Sequence, residues 1–551
     1  MNAPAVADVF AREMAAAGTQ VVFGLPGGGN NLEIVGALQV HGIQFVLTHG
    51  ETSAAIMAAV HADVTGVPSA VVVTRGPGAA SAVNGAAHAL LDRQPVIIAT
   101  DAVAQADRPR IAHQYIDQRS LYRAVTKGSG VLSGAETRQT MLEAIDLAMA
   151  HPRGPVHLDF DPTAPERVSP VPAGASAATA PGSTADLSAV LGLLAGASRP
   201  VVLLGVGARD AGPEVRRLLI GTDIPFLATY RAKGVVEESC SNYAGLLTGA
   251  TIESALLDSA DVILAVGLDT VELIPAGWPY ESPVVSISSW GDDSGYIPAE
   301  RRIVGPLAEL VPALHGQLSG AWTPGTGHRY LRWSLAALRR EPATLAGVSP
   351  QALVTAVRDA APLGTPATVD AGAHMLPALP LWSADSRDEA IVSSGLATMG
   401  FALLAAIGAA LAVPGRRVVC FVGDGGLGMV LAELETLARL DLPITVIVFN
   451  DSRLSLIAVK QSSARHGGEA AVAYQGTDFA QVAAGFGISS RVVHHNSELE
   501  SVVAASLRGP GPSLVDARVD PGCYPLILDA VRGRRDGFLP TWGPANDLLT
   551  F

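Results

Sequence analysis

The sequence predicts an α/β protein built from three consecutive parallel-sheet domains. Its 551 residues exceed a typical domain several times over. Short apolar runs alternate with helical patterns along the whole chain, and two Pro/Gly-rich breaks separate blocks that repeat the same grammar. Hydrophobic residues make up 49% of the chain and charged residues 16%, while 58 glycines and 37 prolines supply the turns of a loop-rich fold.

The first block, residues 1–165, opens on MNAPAVADVFAREMAAAG. This reads as an amphipathic helix with no basic region ahead of an apolar core, so no secretory leader is expected. The runs VVFGLPG, IQFVLTH, SAVVVTR, PVIIATD and GPVHLDF read as strands bounded by Gly, Pro or polar breaks. From Pro162 to Asp186 the chain is rich in Pro, Ala and Ser without apolar periodicity, and an exposed linker is expected. The second block, 186–320, carries PVVLLGVG, IPFLATY, ADVILAVG and PVVSISS as strands. Its Gly205, Gly207 and Gly212 are spaced G-x-G-x-x-x-x-G, which departs from the dinucleotide fingerprint and reads as tight turns. Beyond AWTPGTGHR, the third block, 345–535, carries TPATVDAG, EAIVSSG, RRVVCFVGDGG, LPITVIVFND and PSLVDARVD.

Composition excludes several functions. A formal charge of −14 with no Lys/Arg cluster argues against a nucleic-acid surface. Cys240, Cys420 and Cys523 lie far apart, so neither a disulfide framework nor a zinc site is expected, and a reducing cytoplasm fits. No stretch of about 18 uninterrupted apolar residues is present to span a bilayer.

The chemistry concentrates in the third block. Asp424 follows the strand ending at Val422, and Asp451 follows the strand ending at Phe449, 27 residues further on. Both fall at the carboxyl edge of a parallel sheet, where such folds bind ligands, with room for one crossover helix between them. Two carboxylates, a main-chain carbonyl and diphosphate oxygens form the oxygen set that Mg²⁺ prefers. Gly423, Gly425 and Gly426 allow close approach to phosphates, and the following helix directs its positive end at an anion.

This pattern resembles the cofactor motif of thiamine-diphosphate (ThDP) enzymes, which begins with Gly-Asp-Gly and usually ends in Asn-Asn, and the likeness extends over the whole chain. It implies a pyrimidine-binding (PYR-like) first domain, a central domain and a diphosphate-binding (PP-like) third domain. It also implies ThDP and Mg²⁺ as cofactors, with Asp424, the side chain of Asp451 and the main-chain oxygen of Arg453 as metal ligands. Asp451 stands where the family usually has a second Asn. Leu454, Ser455 and Leu456 would continue the cofactor wall. SGLATMGFALLAAIGA resembles the segment that holds the cofactor bent, with Met399 beneath it and the Ala397 carbonyl toward its 4′-amine. Gly372, Ala373 and His374 resemble the segment touching the diphosphate. In the first block, Leu25, Pro26 and Gly27, together with Pro77 and Ser81, would complete the cofactor pocket. Glu51, at the end of the second strand, matches the catalytic glutamate that bonds the ring nitrogen N1′.

HQYIDQRSLYRAVTK resembles acetolactate synthases, especially the flavin-free catabolic type. It implies catalytic roles for His113 and Gln114, toward the substrate carboxylate and carbonyl, and for Lys127. FAD is not expected, because Leu268 stands where the flavin-containing synthases carry an arginine. Ser81, Leu25 and Lys460 depart from the usual Asn, Tyr and Trp of the synthases. The implied reaction decarboxylates pyruvate or a related 2-oxo acid and transfers the acyl carbanion to a carbonyl acceptor. A simple 2-oxo acid decarboxylase is the alternative, and a flavin or nicotinamide oxidoreductase a remote third. The implied assembly is a homodimer or dimer of dimers with shared active sites, without nucleic-acid or membrane partners.

Overall fold

The structure is a computed structural model that describes residues 5–533 apart from 135, 162, 164–167, 173–183, 274–276, 292–293 and 464–467. Among the described residues nineteen strands form three sheets. The first contains β1 (Val21–Leu25), β2 (Gln44–Leu47), β3 (Ser69–Val73), β4 (Val96–Asp101), β5 (Gly128–Leu132), β6 (Val156–Phe160) and β7 (Val168–Pro172). The second contains β8 (Pro200–Leu204), β9 (Phe226–Ala228), β10 (Tyr243–Leu246), β11 (Val262–Val266), β12 (Val284–Ser288) and β13 (Ala299–Val304). The third contains β14 (Ala367–Val369), β15 (Ala390–Val392), β16 (Val418–Gly423), β17 (Ile444–Asn450), β18 (Ser489–Val493) and β19 (Ser513–Arg518). All pairings are parallel except β5 with β7. Three parallel α/β sheets in series is the expected fold class.

The first sheet runs β2-β1-β3-β4-β6-β5-β7 and the third β15-β14-β16-β17-β19-β18. The six parallel strands of each follow one topology, so their loops correspond: β1 with β14, β3 with β16, and β4 with β17. The central sheet, β10-β9-β8-β11-β12-β13, instead follows the doubly wound order whose topological switch lies between its two innermost strands, β8 and β11.

Five strands differ from the sequence expectation. β5, β10, β13 and β18 are additional, and each lacks the continuous apolar run of a central strand. β7 lies inside the segment expected to be an exposed linker, where Val168–Pro172 adds antiparallel to β5 and Pro170 is buried. Proline is tolerated there because β7 forms the sheet's edge. The helix Thr184–Ala195 also begins before Asp186. Apart from Thr163, the remainder of the expected linker lies outside the described residues. The single helix expected after Gly426 is divided into Asp424–Met429 and Glu433–Arg439.

The first and third sheets share one core through the helices Glu51–Thr65 and Phe401–Ala412. Both are enclosed nearly all round, with residues Ser53–Ala62 and Phe401–Ala410 all buried. Small residues bring the backbones together: a Cβ on Gly408 would lie 2.5 Å from the Met57 carbonyl oxygen. Gly408→Leu must therefore push the helices apart, at a cost of about 1–3 kcal/mol. Its thermal unfolding midpoint should fall clearly below that of the native protein, and an unchanged midpoint would contradict the packing.

His61 lies within the first of these helices, fully buried against Phe23, with neither ring nitrogen hydrogen-bonded. Burial lowers its pKa from 6.5 to about 4. The unfolded chain binds this proton more readily than the native one, so stability is complete above pH 6.5 and lost as pH falls toward 4. His61→Leu should flatten the pH dependence of the unfolding midpoint across that window. A slope as steep as the native one would show that His61 does not supply it.

Candidate active site

The carboxyl edge of the third sheet encloses a cavity of about 210 Å³. Its walls are Gly372–His374 after β14, Gly423–Gly426 after β16, Met399 ahead of the helix Phe401–Ala412, and Asp451 with Arg453–Leu456 after β17. Every cofactor-binding residue expected in the third block lines it except Ala397, which sits two residues before Met399 with φ +52, a left-handed conformation that costs a non-glycine residue energy.

Asp424 is its electrostatic centre. One carboxylate oxygen accepts the Ser452 and Asp451 N–H groups at 2.6 and 3.2 Å, and the other accepts the Tyr474 hydroxyl at 2.6 Å and the Gly425 N–H at 2.7 Å. Burial raises the pKa of Asp424 despite these bonds. Burial also raises Asp451 to about 7 against the Ser455 hydroxyl bond, with the neighbouring Asp424 adding to the rise. Among the described residues no cluster of three or more His, Cys, Asp or Glu side chains is present to hold a metal. A cation here would draw on these two carboxylates and main-chain oxygen.

His374 faces the same space with the opposite character. Its ring stacks on Phe449 at 5.2 Å, burial lowers its pKa to about 3, and its buried Nε2 has no hydrogen-bond partner. Its other nitrogen donates to the Asp370 main-chain oxygen, so Nε2 can donate to a phosphate oxygen once the ring is protonated, a form that a bound anion favours. The glycines leave the room: a Cβ on Gly423 would meet the His374 ring at 3.1 Å, and one on Gly426 would meet Asp370 at 2.1 Å. Asp370 accepts the Gly400 and Phe401 N–H groups at 2.8 and 3.1 Å and so fixes the turn carrying Met399.

Sequence reasoning missed Asp370 and Tyr474. Tyr474 lies 50 residues beyond Asp424 at no recognisable spacing, and only folding brings the two together. Asp370 precedes the quoted Gly-Ala-His by two positions, and a buried acid at a strand end was the available signal.

In the first domain Glu51 begins its helix from the β2 edge, with Gly50 as N-cap. One Glu51 carboxylate oxygen lies 3.2 Å from where a Gly78 Cβ would stand, so it adjoins the Gly76–Pro77–Gly78 turn. Thr52 donates to the Ser81 carbonyl at 2.5 Å, fastening the same corner. Leu25, Pro26 and Gly27 leave β1 beside it, where a Gly27 Cβ would meet Thr74 at 2.3 Å. His113 and Gln114 lie exposed in the segment after β4, and a Cβ on Gly76 would strike the Gln114 carbonyl oxygen at 2.4 Å.

Lys127 does not join this group. It precedes β5, at the amino edge of the sheet and a strand's length from the carboxyl edge, and its ammonium donates to the Ala150 carbonyl at 2.6 Å. Burial lowers its pKa to about 8. The expected catalytic role fails on geometry, because the run from Gln114 to Lys127 crosses the sheet through the helix Gln118–Tyr122 rather than staying at one edge.

At the central switch point, Gly205 and Gly207 pack on the Gly267 and Leu268 backbone, with a Gly205 Cβ only 2.3 Å from the Leu268 Cα. The Val206 N–H and the Thr229 hydroxyl, at the mouth of that crevice, both donate at 2.7 Å to Glu272. These glycines make a tight turn, and the chain's own carboxylate occupies the donors there.

Comparison with known proteins agrees with this layout. Residues 4–121 match the family described as "Thiamine pyrophosphate enzyme, N-terminal TPP binding domain", 187–314 the corresponding central domain, and 370–517 the C-terminal TPP binding domain. The chain is 28% identical over 534 residues to the acetolactate synthase isozyme 1 large subunit of Escherichia coli (strain K12), covering 93% of each. It is 28% identical to the acetolactate synthase of Bacillus subtilis (strain 168), covering 91% of each, and 28% identical to the catabolic acetolactate synthase of Raoultella terrigena, covering 95% of this chain and 96% of that one. With its two cofactor-binding domains and the central domain all matched in order, the chain belongs to the thiamine pyrophosphate enzymes and is similar to acetolactate synthases along nearly its whole length.

Proposed function

We propose that the protein is a ThDP- and Mg²⁺-dependent carboligase that decarboxylates pyruvate or a related 2-oxo acid and transfers the acyl carbanion to a second carbonyl compound. The observation that carries this reading is the conjunction, in one cavity, of the buried Asp424 and half-buried Asp451 carboxyls, both raised by burial, with a neutral His374 whose Nε2 is unspent. A diphosphate together with a divalent cation satisfies both demands at once, since the cation draws the carboxyls to their charged form and the diphosphate favours a protonated His374 that donates from Nε2.

Asp424, Asp451 and the main-chain oxygen of Arg453 would hold the cation, and the glycine-lined strand ends with His374 would hold the diphosphate. When bound, ThDP supplies the nucleophilic carbon and the electron sink that allow CO₂ to leave a 2-oxo acid. Glu51 would hold and exchange a proton at the pyrimidine N1′, while His113 and Gln114 would orient the substrate carboxylate and carbonyl. The acetolactate synthases among the relatives favour ligation over simple decarboxylation. FAD has no part in this reading, which Glu272 supports by saturating the donors at the central switch point.

Among the described residues the cavity is lined only from positions 371 to 524, and none comes from the first domain. This supports an active site completed by Glu51 of a second copy, in a dimer or dimer of dimers.

Asp424→Ala should weaken ThDP retention in the presence of Mg²⁺ at least tenfold, as measured by equilibrium dialysis. Undiminished retention would remove Asp424 from the cofactor site. Glu51→Gln should retain the cofactor yet slow turnover by about 10²–10⁴. Mixing the two inactive proteins and allowing subunit exchange should restore part of the activity, and no recovery after proven exchange would argue against a shared site. Incubation of the wild type with ThDP, Mg²⁺ and a panel of 2-oxo acids should yield ligated 2-hydroxy ketones or acids by mass. Free aldehyde from every acid would replace the carboligase with a decarboxylase.

A further inference from the structure

The sheet order places β19 beside β17, so the loop leaving β19 emerges next to the Asp451 wall of the third-domain cavity. That loop is fixed by Asp520, which accepts the Gly522 and Ala346 N–H groups, each at 2.8 Å. It leads into the helix Cys523–Arg532, whose second residue, Tyr524, stands on the cavity wall. Tyr524 is only 2% exposed and belongs to the apolar cluster of Ala373, Leu376 and Ile527, against which Leu456 packs. Ala373 lies in the segment expected at the diphosphate, and Leu456 in the expected cofactor wall.

Most polar side chains on this wall are already committed within the chain. The Ser455 hydroxyl donates to Asp451, and the Arg453 guanidinium donates to Glu469 at 2.6 Å. Asp424 accepts from the Tyr474 hydroxyl and three N–H groups. His374 spends one nitrogen on the Asp370 main-chain oxygen and must gain a proton before Nε2 can donate. Tyr524 differs. Among the described residues its hydroxyl has no hydrogen-bond partner, and the packing that covers the ring does not seal it.

The surroundings also keep this hydroxyl protonated. Burial, with Asp451 and Asp424 adding to the effect, raises the Tyr524 pKa well above its ordinary value. A phenol that keeps its proton can donate it to an anion in a charge-assisted hydrogen bond, without first changing its own charge.

We propose that the Tyr524 hydroxyl donates to the diphosphate of the bound cofactor, adding an uncharged donor from the helix Cys523–Arg532 to the groups at the strand ends. The assignment rests on the cofactor site proposed above.

The test titrates the whole, cofactor-free chain calorimetrically in the presence of Mg²⁺, with ThDP, inorganic pyrophosphate and thiamine as probes. Tyr524→Phe keeps the ring in its packing and removes only the hydroxyl. Kd should rise at least tenfold for ThDP and for pyrophosphate, as expected for one lost hydrogen bond to a charged group, while Kd for thiamine should change less than twofold. Unchanged affinity for either diphosphate probe would overturn the assignment. An equal rise for thiamine would do the same, because it marks a distorted cavity rather than a lost donor. Asp424→Ala separates this assignment from the reading beneath it. If Asp424→Ala loses ThDP and Tyr524→Phe does not, the role of Tyr524 alone falls. If neither variant weakens ThDP binding, the cofactor site itself lies elsewhere and the donor role falls with it.

Discussion

Backbone contact between the helices Glu51–Thr65 and Phe401–Ala412 joins the first domain to the third in one core. The first helix carries Glu51 at its start, and the second follows directly from the Ala397–Gly400 turn that presents Met399 to the cofactor cavity. Neither helix has a polar face to offer water, so each must be buried, and glycine at 408 lets the two approach to backbone distance. Polar fastenings then lock the junction. Asp92 accepts the Ser394 and Gly395 N–H groups at 3.0 and 2.9 Å, joining the first domain to the loop ahead of Ala397. Burial opposes its charge, yet His88, Arg231 and Ser393 hold the Asp92 carboxyl well below its ordinary range. An ionised acid in such a place is tolerated because each of its oxygens is committed.

The cavity after β16 and β17 reverses that economy. Burial pushes Asp424 and Asp451 up rather than down, Asp424 adds to the rise of Asp451, and His374 is kept neutral with one nitrogen unused. Adjacent carboxyls raised toward neutrality and a buried ring nitrogen without a partner are costly in a finished core. They are coherent as parts of the cofactor site proposed above.

Much of this was legible in the sequence because central strands of a parallel sheet are apolar on both faces and therefore continuous. RRVVCFVGDGG and LPITVIVFND announce both the strands and the acids at their ends. Strands away from the sheet centres were the weak point. SSRVV at β18 and AERRIV at β13 are half solvated, so their residues need not be apolar, and GSGVL at β5 reads as a turn. Residues brought in across the fold were equally hidden. The Tyr474 hydroxyl reaches Asp424, and Gln118 reaches Gly76 and Asp159, through contacts that no local spacing encodes. Lys127 shows the converse error: proximity along the chain to His113 and Gln114 suggested a shared site, while the intervening helix carried it to the other edge of the sheet.

The three sheets present comparable crevices at their carboxyl edges, yet they differ in whether the chain satisfies its own polar groups there. At the central switch point Glu272 absorbs the free N–H of Val206 and the hydroxyl of Thr229, and the glycines are consumed by packing against Gly267 and Leu268. That crevice is closed by its own carboxylate, which burial raises to about 7 against the Thr229 and Val206 bonds and the Arg231 guanidinium. In the third sheet the His374 Nε2 remains unspent, and the Asp451 carboxyl is raised to about 7 beside Asp424. A crevice whose donors and acceptors cancel internally serves the fold. One that leaves them over, at an energetic cost the fold must offset elsewhere, is kept for a ligand, and that residual imbalance, rather than the shape of the sheets, separates the catalytic domains from the structural one.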